Sequence, residues 1–95
     1  MELSLSAEAL EDMEEIIVWL RNNKPQSAMA TYDKIDAAMQ RLKEFPELGR
    51  IGRIEGTREQ VVAGTGYVIY YELRRPGFVD VLRVRHGMQG LPVIR

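Results

Sequence analysis

Apolar residues recur at helical spacing in the first half of the chain, and they alternate or cluster in short runs in the second half. Between Ser6 and Asn23, Leu10, Met13, Ile17 and Leu20 fall three or four residues apart, with Ile16 beside them. That period predicts an amphipathic helix. Ser6 suits its N-cap, and Leu5 with Leu10 suits a hydrophobic staple across the cap. Glu8, Glu11 and Asp12 fall near the positive end of the helix dipole, and Arg21 near the negative end. A second helical period runs through Ala28, Tyr32, Ile35, Met39 and Leu42. Pro25 fits its first turn. Pro46 ends it at Phe45, because the residue before a proline avoids helical backbone. The link "NNKP" is short, so the two helices are expected to pack as an antiparallel hairpin.

The remaining segments read differently. "ELSL" at the start suits a brief first strand. "PELGRIGRIEG", with glycines at 49, 52 and 56, reads as a loop. Its glycines lack the Lys-Ser/Thr and the following helix that a phosphate cradle needs. "TREQVVA", "YVIYYEL" and "FVDVLRVRH" read as three strands, rich in β-branched and aromatic residues. "GTG" and "RRPG" supply short turns between them, which makes an antiparallel meander. The tail "GMQGLPVIR" suits a loop or a short edge strand. The expected architecture is α+β, in the order β-α-α-β-β-β. An antiparallel helix hairpin packs on one face of a twisted, mainly antiparallel sheet. The other face is left open, and function is sought there.

Composition narrows the chemistry. A chain of 95 residues makes one domain, 1–95. It has no cysteine and one histidine, which excludes thiolate chemistry and cysteine- or histidine-rich metal sites. No cofactor is implied. No apolar run reaches membrane-spanning length, and the acidic N-terminus lacks the basic and apolar regions of a signal peptide. The expected compartment is the cytoplasm, with no membrane partner. Residues 1–48 hold five Lys/Arg against ten Asp/Glu, and residues 49–95 hold eight Arg against four Asp/Glu. The basic half contains arginine and no lysine, and arginine is the better fork for carboxylate or phosphate. The acidic residues Glu11, Asp12, Glu14 and Glu15 read as a solvated helix face, and Trp19 as a packing residue or a partner contact.

The last strand carries the candidate site. Strict alternation puts Val79, Val81, Arg83 and Arg85 on one face, and Phe78, Asp80, Leu82, Val84 and His86 on the other. Two arginines do not face a helix-packed core cheaply, so Arg83 and Arg85 are expected on the open face. His86 then falls on the helix side unless a bulge reverses it. There it reads as a structural group bonding a backbone carbonyl, or as a general acid or base.

The segments "AEALEDMEEIIVWL", "RLKEFPELGRIGRIEGTREQVV", "YVIYYEL" and "VDVLRVRHGMQ" together resemble the RelE/ParE superfamily of type II toxin–antitoxin toxins. The resemblance implies a growth-arresting toxin held inactive by a cognate antitoxin in a hetero-oligomeric complex. It also implies one of two mechanisms. ParE-like members poison DNA gyrase without a recognised nuclease site. RelE-like members enter the ribosome and cleave messenger RNA. Cleavage by 2′-hydroxyl attack needs proton transfer and cations for the phosphorane charge. For an endoribonuclease the candidates are Arg58, Arg83, Arg85 and His86. For target binding they are Arg58, Arg83 and Arg85. Gly87 follows His86 and offers no acid or base, and a pI near 5.8 is low for a ribosome-directed protein. The sequence is therefore read as ParE-like, a non-enzymatic gyrase inhibitor, with the endoribonuclease as the alternative.

Overall fold

Ser6 starts the first helix with two bonds. Its Oγ accepts from the Ala9 amide at 3.0 Å and donates to the Leu82 carbonyl at 2.8 Å. The hydroxyl thus caps the helix and also ties it to a strand 76 residues away. The computed structural model describes residues 1–94, so Arg95, at the end of the tail, lies outside the described residues. The elements are β1 (Glu2–Leu5), α1 (Ala7–Asn23), α2 (Ala28–Glu44), β2 (Arg50–Ile51), β3 (Arg58–Val61), β4 (Tyr67–Glu72) and β5 (Phe78–His86). A short 3-10 turn, Gly87–Gln89, follows β5.

Both helices pack on one face of the sheet, as the periodicity predicts. The buried stripe of α1 is Ala9, Met13, Ile16 and Leu20, and that of α2 is Ala28, Ile35, Met39 and Leu42. Two details of α1 depart from expectation. Leu10 is half exposed and lies outside the buried stripe, while Leu5 packs against the core. The stripe is instead rotated toward Ala9 and Asp12, and Asp12 is buried rather than solvated. Pro25 lies in a turn before α2, whose helical residues begin at Ala28.

The sheet order is β1-β5-β4-β3-β2, with β1 parallel to β5 and the other neighbours antiparallel. Strand β4 is central and buried on both faces, which explains its unbroken run of β-formers. Tyr71 points into the helix-covered core, where its hydroxyl donates to the Pro46 carbonyl at 2.7 Å and accepts from the Gly49 amide at 2.9 Å. A Cβ on residue 49 would sit 2.6 Å from that hydroxyl, so the close approach requires glycine. The same pinning forms β2 within a segment that reads as loop.

Strict alternation fails along β5. Tyr71 pairs with Val81 and Tyr70 with Arg83, so Leu82 is an extra residue, a β-bulge. Val79 and Val81 therefore face the core, not the open face, and so does Val84 after the bulge. Fully burying a valine is worth about 1.5–3 kcal/mol. Three buried valines on one strand outweigh the cost of one unpaired backbone step.

Candidate functional site

The bulge sets the geometry of the strand's C-terminal half. β1 stops at the Leu5–Val81 pair, so β5 beyond Val81 is an outer edge of the sheet. Three side chains close that edge. Ser6 takes the Leu82 carbonyl, Asp12 takes the Val84 amide at 2.9 Å, and Gln89 takes the His86 amide at 2.9 Å. The Asp12 carboxylate also binds Arg83 in a fork, with Nε to Oδ2 at 2.8 Å and Nη2 to Oδ1 at 3.0 Å. That fork holds the Arg83 guanidinium above its ordinary pKa. Arg83 pairs in register with Tyr70, on the open face, yet its guanidinium reaches around the edge to α1. It is only 22% exposed. The backbone register keeps Arg83 on the open face, as expected, but the buried Asp12 draws its guanidinium around the edge.

Arg85 pairs with Val68 and follows a different course. Its Nη2 donates to the Gln89 carbonyl at 3.0 Å, and its Nε is buried without a partner among the described residues. A buried N–H left unmade costs about 1–3 kcal/mol.

His86 lies on the helix side, where its ring meets Tyr67 edge-on with centroids 5.2 Å apart. Burial raises the Tyr67 hydroxyl pKa above its ordinary value. His86 Nδ1 accepts from the Met88 amide at 3.2 Å, which gives a neutral ring its proton on Nε2. The bond is to an amide, not to the carbonyl expected from sequence. A Cβ on Gly66, which has φ +79°, would sit 2.5 Å from Nε2, so the imidazole packs directly over that glycine.

Arg58 is placed elsewhere. It pairs with Tyr71, while His86 pairs with Tyr67 at the other end of β4. Four residues separate those two positions, about 13 Å along the strand. Arg58 Nη1 donates to the Gly49 carbonyl at 2.9 Å and the Glu47 carbonyl at 3.3 Å. The structure therefore clusters Arg83, Arg85 and His86 at the end of β5, with His86 on the opposite face, and sets Arg58 apart.

Sequence reasoning missed Glu59. It lies on β3 with its side chain fully buried on the open face, in a transverse row Arg50–Glu59–Tyr70–Arg83. Arg50 Nη2 reaches it at 2.8 Å, and Arg53 reaches it through its amide at 2.9 Å, Nε at 3.2 Å and Nη2 at 3.1 Å. Burial pushes this carboxyl up, but the bonds from Arg53 and Arg50 outweigh it and hold the pKa at about 2. The only signal in sequence was a glutamate at an alternate position in a strand, preceded by Arg50, Arg53 and Arg58.

A groove of about 730 Å³ opens beside the end of β5, between the strand and the helices. Its lining includes Asp12, Trp19, Lys24, Lys34, Tyr67 and His86. Trp19 is half exposed there, so it is not a core residue. No helix among the described residues is long and apolar enough to cross a membrane.

The fold and sequence match known proteins. The family model for the ParE toxin of type II toxin–antitoxin systems, parDE, matches residues 3–91. The Y4kP protein of Sinorhizobium fredii (strain NBRC 101917 / NGR234) is 36% identical over 86 residues, covering 90% of this chain and 88% of its own. Toxin RelE1 of Caulobacter vibrioides (strain ATCC 19089 / CIP 103742 / CB 15) is 34% identical over 88 residues, covering 90% and 91%. A solved structure described as a chromosomal ParDE TA system from P. aeruginosa superposes with a TM-score of 0.82 at 17% identity. It covers 90% of this chain and 95% of that one, a likeness of fold. The family model spans nearly the whole chain, and the chain belongs to the ParE toxin family of type II toxin–antitoxin systems.

Proposed function

We propose that this toxin arrests bacterial growth in the cytoplasm by binding and poisoning DNA gyrase, without cleaving RNA itself, and that its cognate antitoxin neutralises it. The observation that carries this reading is the separation of Arg58 from the other three nuclease candidates, two of which are already engaged within the fold. Arg58 sits about 13 Å along the sheet from the level of His86. Arg83 is occupied by Asp12, and His86 Nδ1 by the Met88 amide. General acid–base catalysis needs its groups within hydrogen-bond reach of one scissile phosphate. A protein that works by binding needs only a shaped surface.

Within that reading, Arg85 is the leading target contact. Arg50, Arg53, Arg74, Arg75 and Arg83 each pair with a carboxylate of the fold. Arg58 is bonded to two loop carbonyls. Arg85 pairs with no carboxylate among the described residues and its Nη2 holds only the Gln89 carbonyl, so its charge is left for an acidic group on the target.

The test uses purified chain with purified gyrase and, separately, with translating ribosomes. Gyrase-dependent DNA breaks are expected, with no cuts in translated messages. Arg85→Ala should weaken break formation by at least about tenfold, as loss of an arginine anchor commonly does. His86→Gln should keep most activity. Ribosome-dependent cuts that vanish in His86→Gln would establish the endoribonuclease instead.

A further inference from the structure

The Gly87–Gln89 turn is held shut by hydrogen bonds, since none of its residues is buried. His86 Nδ1 accepts from the Met88 amide at 3.2 Å, and Gln89 Oε1 accepts from the His86 amide at 2.9 Å, a reciprocal capping box. The Gln89 carbonyl accepts from Arg85 Nη2 at 3.0 Å. Gln89 therefore occupies both the last amide of β5 and the arginine beside it. Gly87 anchors one end of the turn by donating its amide to the Gly66 carbonyl at 2.8 Å. Gly90 ends it at φ +75°, a conformation that glycine adopts without steric cost.

One bond of this set depends on a proton. Nδ1 accepts only in a neutral imidazole, and a proton there takes the lone pair and sets N–H against the Met88 N–H. Histidine is the side chain whose charge changes between about pH 8 and about pH 5. The charged groups that line the groove with His86 are Asp12, Glu15 and Lys24 on the α1 side, Lys34 on α2, and Arg83 and Arg85 on β5. Asp12 is forked to Arg83, so Glu15 alone is left against Lys24, Lys34 and Arg85. Tyr67, from β4, meets the ring edge-on, and burial raises its hydroxyl pKa, so it stays neutral. A protonated ring meets more cations than acids there, and nothing offsets the lost bond.

We propose that His86 is a proton-operated latch on the C-terminal end of β5. Neutral, it caps the Gly87–Gln89 turn, and Gln89 keeps the His86 amide and Arg85 occupied. Protonated, it uncaps the turn, which swings out between Gly87 and Gly90 and releases both. The closed turn takes up no proton at Nδ1 and the open turn does, so acid favours the open form by mass action. Opening frees a guanidinium that pairs with no carboxylate among the described residues, so the latch regulates the candidate target contact, Arg85. That bearing on the target rests on the proposed function, whereas the latch itself rests only on the turn.

Amide exchange of the full chain, expressed as protection relative to the unfolded rate at each pH, tests the latch. Between about pH 7.5 and about pH 5, the Met88 and His86 amides should lose about tenfold in protection, the scale of one hydrogen bond. The Gly87 amide, bonded to Gly66, should keep its protection. His86→Asn places an amide oxygen where Nδ1 stands and does not titrate, so its turn should stay closed at both pH values. His86→Ala removes the cap, so its turn should be open at both. Thermal unfolding reports that both variants fold. Equal protection of the unaltered chain at the two pH values overturns the latch. So does an acid-induced loss that persists in His86→Asn, which traces to another group, or full protection of the Met88 amide in His86→Ala at the higher pH. Gyrase is absent from this assay, so amide protection decides the latch and DNA breaks decide the target.

Discussion

One outer edge of the sheet is β2 and the other is β1, continued by the C-terminal half of β5, and a buried carboxylate stands at β2 and at the exposed stretch of β5. At the β5 edge, Asp12 takes the Val84 amide and forks to Arg83, so the edge is closed and its arginine is drawn in. At the β2 edge, Glu59 binds Arg50 and Arg53 from beneath, so the arginines are held outward and the edge stays open. Both sites pair acid with arginine. They differ in where the acid comes from. Asp12 belongs to a helix and reaches the backbone of the strand it covers. Glu59 belongs to the sheet and reaches only side chains and the amide of the adjoining loop. A buried carboxylate therefore hides an arginine or displays one according to which layer supplies it.

That contrast is strongest in stability. Asp12→Ala removes three acceptor bonds and leaves a buried amide and a mostly buried guanidinium uncompensated. It should cost about 4 kcal/mol in urea unfolding, the range for breaking one partner of a buried pair. A cost below about 1 kcal/mol would mean that the β5 edge is closed by packing alone. Glu59→Ala should cost less, about 2–3 kcal/mol, because Arg50 and Arg53 are free to rehydrate when their anchor is lost. The reverse ranking would refute the distinction between hidden and displayed arginines.

Acid titration tests the Glu59 anchor at the β2 edge. The Glu59 carboxyl is depressed from 4.5 to about 2, and Arg75 lowers the Asp80 carboxyl as well. A depressed carboxyl binds fewer protons in the folded chain than in the unfolded chain. Its stabilisation is therefore fully present above pH 4.5 and is lost as pH falls through about 2. Stability measured from pH 6 down to about pH 2 should fall, and Glu59→Ala should flatten that fall. Parallel profiles for the two proteins would show that Glu59 is not the titrating anchor. The smallest effect is expected at His86. His86→Gln loses one exposed acceptor bond and an edge contact with Tyr67, and should cost about 1 kcal/mol or less. A much larger loss would make the imidazole part of the core rather than the cap of a strand end.

Helix periodicity, the caps and the run "YVIYY" are local properties, and they specified the helix hairpin, the central strand and the α+β class from sequence. The four family segments likewise identified the toxin family, because their order and spacing survive without any contact map. The site was less legible. The bulge at Leu82 arises because Val79, Val81 and Val84 all bury against the helices, and no spacing within "FVDVLRVRH" announces a skipped residue. The burial of Asp12 depends on the angle at which α1 crosses the end of β5, and one acid in a run of acids carries no mark of it. Glu59 likewise reads as an ordinary strand glutamate until the register sets it between Arg50 and Tyr70. By itself the sequence determined the two helices and the strands β1, β3, β4 and β5, though not β2, because backbone preference and apolar period act over a few neighbours. Only the tertiary structure decided which arginines are hidden and which are displayed, because burial of a charge depends on packing and register: Asp12 lies 71 residues from Arg83, and Glu59 is buried only where β3 joins the sheet.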